Sequence, residues 1–121
     1  MDLQPAYVLH TRRYGESSLI AELITPSQGR HAVLAKGVLS AKASSRAMLQ
    51  PFQPLLVRWR GRGQLPVLTG CETADAPLAL RGRALYCGFY VNELVLRLCE
   101  RADPHSTLFP VYVACLSALA S

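Results

Sequence analysis

The stretch LVRWRGRGQLPVLTG, residues 56–70, places Arg58, Arg60 and Arg62 at every second position before an apolar segment. Side chains of a β-strand alternate between its two faces, so a strand here puts the arginines on one face. The apolar residues Val57 and Trp59 then point to the other face. One interpretation is a solvated outer face above a protein core. The other is a basic arginine strip, formed by the three arginines, that binds a polyanion.

The distribution of charge bears on this choice. The 121 residues have a net charge of +5, and no acidic residue stands between Glu22 and Glu72. That interval contains seven basic residues: Arg30, Lys36, Lys42, Arg46, Arg58, Arg60 and Arg62. A block of one sign creates a local field that attracts anions. Nucleic acid is therefore the first candidate partner, and an acidic protein surface or anionic lipid is the alternative.

The first part of the chain has the pattern of short strands joined by turns. Alternating or apolar runs predict strands at residues 6–13, 19–25, 30–38, 52–61 and 64–73. Pro66 indicates that the fifth strand begins at an edge or a bulge. The small, polar segment 39–47 predicts a flexible loop. Short strands separated by turns are typical of an all-β sheet or barrel.

The pattern changes after residue 75 and predicts two helices. The first spans residues 79–101 and has a wide apolar arc that includes Asn92. Pro104 ends it, because proline disfavours helix in the residue before it. The second spans residues 106–121 and is apolar along almost its whole length. Since such a helix is not expected to stand free in water, we expect the native protein to continue or this helix to pack against another chain.

Five blocks of sequence together carry a family resemblance. They are YGESS (14–18), LITPSQGRHAVLAKG (23–37), MLQPF (48–52), WRGRGQLPVLTGCE (59–72) and CGFYVNELVLRL (87–98). In this order and spacing they resemble the N-terminal part of the RecO family of bacterial recombination mediators. The resemblance implies a β barrel, an OB-fold of about five strands, over residues 1–75. It also implies that residues 79–121 start a second, helical domain that is incomplete here, at about half the usual family length.

The resemblance also implies a function. RecO-like proteins bind single- and double-stranded DNA, anneal complementary strands and, with the partner RecR, help load the RecA recombinase. They contact single-stranded DNA-binding protein, mainly through the helical domain that is cut short here. The expected function is therefore a DNA-binding recombination mediator in DNA repair. An RNA-binding OB-fold module and an adaptor that docks acidic protein tails remain alternatives.

An OB barrel offers a groove in which basic side chains follow phosphates and aromatic rings stack on bases. The predicted nucleic-acid-binding residues are Arg30, Lys36, Lys42, Arg46, Arg58, Arg60, Arg62 and Tyr14. Tyr14 is included because the loop between the first two strands of OB-folds often contacts nucleic acid. Trp59 is expected in the core, because alternation points it away from the arginines.

We expect no enzyme, no cofactor and no metal. Ser17 and Ser18 lack the GxSxG context of a nucleophile, and the four cysteines show no CxxC spacing. The cysteines are expected to be reduced and buried. No apolar run reaches the length of about 18 residues that a membrane span needs, and the N-terminus has no leader pattern. We therefore expect a cytoplasmic protein.

Overall fold

A computed structural model describes residues 2–40 and 43–121, the side chains of residues 43–45 excepted. This part of the chain forms five strands and three helices. The strands are β1 (Gln4–Tyr14), β2 (Ser18–Thr25), β3 (Gly29–Ala35), β4 (Leu55–Arg60) and β5 (Val67–Thr73). The helices are α1 (Ala43–Met48), α2 (Arg83–Leu98) and α3 (Leu108–Ala120).

The strands close into a barrel in the order β1-β2-β3-β5-β4. Every neighbouring pair is antiparallel except β3 and β5, which run parallel and meet at the single pair Leu34 and Val67. A closed, five-stranded barrel followed by helices confirms the predicted OB-fold.

The start of β5 follows from the chemistry of proline. Pro66 has no N–H to donate, but its carbonyl accepts a hydrogen bond from the Leu34 N–H at 2.8 Å, which helps to close the barrel. Two residues into β5 the register with β4 shifts, and Thr69 is the extra residue. The predicted edge or bulge after Pro66 is therefore present.

The barrel interior is filled by the inward-facing residues of all five strands. Its buried members include Val8, Leu23, Val33, Leu55 and Val57. Trp59 is half-buried and packs against this cluster, which agrees with the inward orientation expected from alternation.

The helices after the barrel cover the other face of β1 and form a second core. Tyr7 and Leu9 of β1 pack in it together with Val95 of α2 and with Tyr112 and Leu116 of α3. At its centre the amide of Asn92 donates to the Leu9 carbonyl at 3.4 Å, and the Tyr112 hydroxyl donates to Asn92 Oδ1 at 2.6 Å. The polar residue within the apolar arc of α2 thus joins both helices to the barrel.

Two sequence expectations need correction. Part of the predicted loop 39–47 is the helix α1, whose last residue, Met48, packs with Leu49 against the barrel core. That burial is tertiary and leaves no local signal in a run of small, polar residues. Of the four cysteines, Cys71, Cys99 and Cys115 are half-buried and Cys87 is exposed, so the expectation of burial is wrong for Cys87.

Within the part of the chain that the structure describes, no helix combines the length and the apolar character that a membrane crossing requires.

Candidate nucleic-acid interface

The arginine strip is exposed on the outer face of the barrel. Arg58 and Arg60 of β4 border a depression of about 410 Å³ that Trp59 and Thr69 also line. Arg62 is exposed in the turn that follows β4. The alternation predicted from the sequence is therefore present for Arg58 and Arg60, which share one concave surface, and it does not extend to Arg62, which lies beyond the end of β4.

The side chain of Arg58 lies across its pairing partner on β5, Gly70. A Cβ atom on Gly70 would stand 2.9 Å from both Cγ and Nε of Arg58, closer than such atoms approach. The glycine therefore leaves the space that the arginine stem occupies. The side chain of Arg58, which starts on β4, thus extends over β5.

Lys36 and Tyr14 lie at the end of the barrel where β1 and β3 finish. Tyr14 is 51% exposed and pairs with Ser18 across the turn between β1 and β2. The hydroxyl of Ser18 accepts a hydrogen bond from the Gly37 N–H at 3.0 Å, next to the exposed Lys36. The hairpin end formed by Tyr14 and Ser18 is thus joined to the segment that follows Lys36.

A groove of about 250 Å³ separates Lys36 from Gly70, on which Arg58 lies. Its walls are the end of β3, the end of α1 and the middle of β5. Arg46 is exposed on α1, two residues before Met48, which lines the groove. Lys36 lines the groove and the stem of Arg58 lies over Gly70 on its β5 side, whereas Arg46 is exposed on α1 and is not one of the lining residues. Lys42 lies outside the described residues.

Arg30 lies elsewhere. Its Nη1 forms an ion pair with Glu22 Oε1 at 3.0 Å, and its Nε donates to the Cys99 carbonyl at 2.9 Å. The side chain is only 14% exposed. It stands six residues before Lys36 on a strand, about 20 Å away. Arg30 joins the barrel to the end of α2, and the structure does not bring it to the groove.

Sequence reasoning missed Glu22, which pairs with both Arg30 and Arg101. A signal was available, because the turn between β2 and β3 pairs Thr25 with Gly29 and so fixes the register of the hairpin. That register places Glu22 diagonally across from Arg30 on one face. The pairing with Arg101 has no such local signal, since 79 residues separate it from Glu22.

A second residue that sequence reasoning left without a role is His31. Its ring meets the ring of Trp59 edge to face, with centroids 5.2 Å apart and planes at 89°. The side chain is buried, and Nδ1 has no hydrogen-bond partner among the described residues. Burial lowers the pKa of His31; the nearby carboxylate of Glu22 opposes this effect, and the charge of Arg101 adds to it. His31 therefore favours the neutral form.

Comparison with known proteins identifies the family. The family described as "Recombination protein O N terminal" matches residues 1–77. The DNA repair protein RecO of Nitrosococcus oceani is 50% identical over 117 residues, which are 97% of this chain and 48% of the relative. For the protein of the same name from Cellvibrio japonicus, the identity is 47% over 119 residues, or 98% of this chain and 50% of the relative.

A third relative, the DNA repair protein RecO of Haemophilus influenzae, is 47% identical over 120 residues, which are 99% of this chain and 51% of the relative. The chain thus spans about half the length of the curated relatives it matches. The match over residues 1–77 covers the whole barrel and agrees with its five-stranded topology. This chain belongs to the RecO family of recombination proteins.

Proposed function

We propose that this chain carries a DNA-binding part of a recombination mediator in DNA repair. It binds single- and double-stranded DNA on the barrel end formed by the arginine strip, Lys36 and Arg46. The observation that carries the proposal is the exposed pair Arg58 and Arg60 on one concave surface. This surface belongs to a segment without a single acidic residue between Glu22 and Glu72. Exposed positive charge in a depression attracts a phosphate backbone.

The chemistry of the site is binding without a covalent step. Guanidinium groups bind phosphate oxygens through two parallel N–H donors, and Lys36 adds a point charge. The ring of Tyr14 at the first turn offers a stacking surface for an unpaired base. Two complementary strands repel each other through their phosphates. A surface that neutralises those phosphates and concentrates both strands promotes their annealing.

The activity of the whole protein extends this proposal. In it, RecR and this protein together load the recombinase, and single-stranded DNA-binding protein is a further partner, mainly through the helical part. The support is the family relation, together with the name "DNA repair protein" that the relatives carry. Because these relatives are about twice as long, the partners are proposed for a protein of the relatives' length.

The test is the salt dependence of binding to a fluorescent single-stranded oligonucleotide. For four phosphate contacts, the logarithm of the binding constant falls against the logarithm of salt concentration with a slope of about −3. The variant Arg58→Ala/Arg60→Ala is expected to bind more weakly and to flatten that slope by about one unit. The control, Arg81→Ala/Arg83→Ala, removes the same charge from exposed positions at the start of α2 and should keep the slope.

Equal slopes for the wild type and the strip variant would contradict the proposal. The strip would then be a solvated face or a docking surface for acidic proteins. A parallel titration with RNA of the same sequence separates the remaining alternative, since tighter binding of RNA would indicate contacts to the 2′-hydroxyl group.

A further inference from the structure

The groove beside the arginine strip exists because two strands of the barrel part early. β3 and β5 pair only at Leu34 and Val67, and beyond that point β3 ends while β5 continues. The end of α1 fills part of the gap and leaves the open groove of about 250 Å³. We call it the β3–β5 groove.

The β3–β5 groove combines an apolar floor with a basic rim. Val38, Met48, Leu68 and Cys71 line it, and burial raises the pKa of the Cys71 thiol to about 11, so that this wall stays uncharged at neutral pH. Lys36 borders the groove on the β3 side. On the β5 side the stem of Arg58 lies over Gly70, which is itself part of the lining. Among the described residues the lining contains no acidic side chain, although Glu72 is close enough that its charge adds to the raised pKa of Cys71.

The groove adjoins the depression between the strip arginines. Thr69, the bulged residue of β5, lines both. A strand whose phosphate is bound by Arg58 and Arg60 therefore has the groove directly beside it. A nucleotide has the same division of properties as this surface, since a planar base with apolar faces adjoins a charged phosphate.

We propose that the β3–β5 groove binds one unstacked base of a single strand whose flanking phosphates lie on Arg58 and Lys36. This inference rests on the proposed function and adds a base subsite to it. The groove is large enough for one planar base, and the basic residues on its two sides can each bind a phosphate. Base binding there gives the barrel a preference for single strands, because a base inside a duplex is stacked and cannot enter.

The test compares two oligonucleotides that carry the same number of phosphates. One contains thymine throughout, and the other lacks the bases at its central positions. The wild type is expected to bind the complete strand about tenfold more tightly, as for one base stacked on a protein surface. Met48→Leu keeps the volume of the side chain and should retain this preference. Met48→Trp fills the groove and should lose it, with the slope of binding against salt unchanged.

A second measurement needs no substitution. A 2-aminopurine base placed at the centre of the strand fluoresces more strongly when it leaves its stacked neighbours. Binding to the wild type is expected to raise this fluorescence, and binding to the Arg58→Ala/Arg60→Ala variant at the same protein concentration should raise it less. An unchanged signal on a strand that is fully bound by the wild type would overturn the inference.

The outcomes separate this inference from the proposed function. If the wild type binds both oligonucleotides equally and the salt slope depends on the strip arginines, DNA binding on the barrel is supported. The base subsite in the groove is then wrong. A preference for bases that persists in Met48→Trp assigns the base to another site, such as Tyr14, and has the same effect. If the slope of binding against salt is the same in the wild type and in Arg58→Ala/Arg60→Ala, both the base subsite and the proposed function are wrong. A peptide of acidic and apolar residues that binds the wild type and not Met48→Trp, while strand affinity is equal in the two, makes the groove a peptide site.

Discussion

At the scale of single residues, His31 makes the stability of the fold depend on pH. Its ring is buried against Trp59, its Nδ1 lacks a partner among the described residues, and the charged groups that shift its pKa are Glu22 and Arg101. Because burial lowers its pKa from the usual 6.5, the unfolded chain binds a proton more readily than the folded chain. The contribution to stability is complete above pH 6.5 and is lost as the pH falls towards the lowered pKa.

The variant His31→Gln tests this linkage. In urea unfolding between pH 7.5 and pH 5.5, the wild type is expected to lose stability as the pH falls, and His31→Gln should lose less over the same interval. His105→Gln removes one exposed histidine from the turn between α2 and α3 and controls for the count of histidines. The same loss of stability in the wild type and in His31→Gln would show that His31 does not carry the pH dependence.

At the scale of elements, the turn between β2 and β3 meets the turn between α2 and α3. Gly29 has a φ of +61°, and a Cβ atom there would stand 2.8 Å from Ser106 Cβ. The Asp103 N–H donates to the Gln28 carbonyl at 2.9 Å in the same contact. This junction holds the helices on the barrel, and it leaves no room for a side chain at Gly29.

The pair Gly29→Ala and Gly15→Ala separates backbone strain from this contact. Gly15 has a φ of +66° with nothing near its missing Cβ, so Gly15→Ala costs only the left-handed strain, about 1 kcal/mol. Gly29→Ala adds the displacement of Ser106 and is expected to cost about 2–3 kcal/mol. Denaturant unfolding of both variants measures the difference. Equal losses of stability in the two variants would mean that the turn between β2 and β3 moves away from the turn between α2 and α3 without cost.

The same elements show what a sequence can predict. The exposure of Arg58 and Arg60 follows from the alternation of side chains along one strand, which is a local property of the sequence. Arg30 follows the same alternation, but its guanidinium binds Glu22 and a carbonyl 69 residues away. The alternation of side chains does not predict these contacts. The β3–β5 groove was not predicted because it depends on where two distant strands part.

At the scale of the whole molecule, the barrel and the helices bury one core in common. The apolar length of α3 is explained in part by Tyr112, whose ring lies 5.7 Å from that of Tyr7, and by the fully buried Leu116. Leu98 and Val111 remain exposed, at 77% and 64%. The division into a barrel domain over residues 1–75 and a helical domain from residue 79 stays a prediction, and the shared core argues that the two parts unfold together.

Leu116→Ala tests whether they do. The substitution opens a cavity in the core that the helices share with the barrel and is expected to cost about 2–4 kcal/mol. Trp59 reports on the barrel by fluorescence, and far-ultraviolet circular dichroism reports mainly on the helices. If the shared core makes unfolding cooperative, both signals shift to lower denaturant concentration by the same amount, although Trp59 lies in the barrel and Leu116 in α3. Leu98→Ala shortens an exposed leucine and should shift neither. A circular dichroism transition that moves while the Trp59 transition stays would show that the barrel folds without the helices.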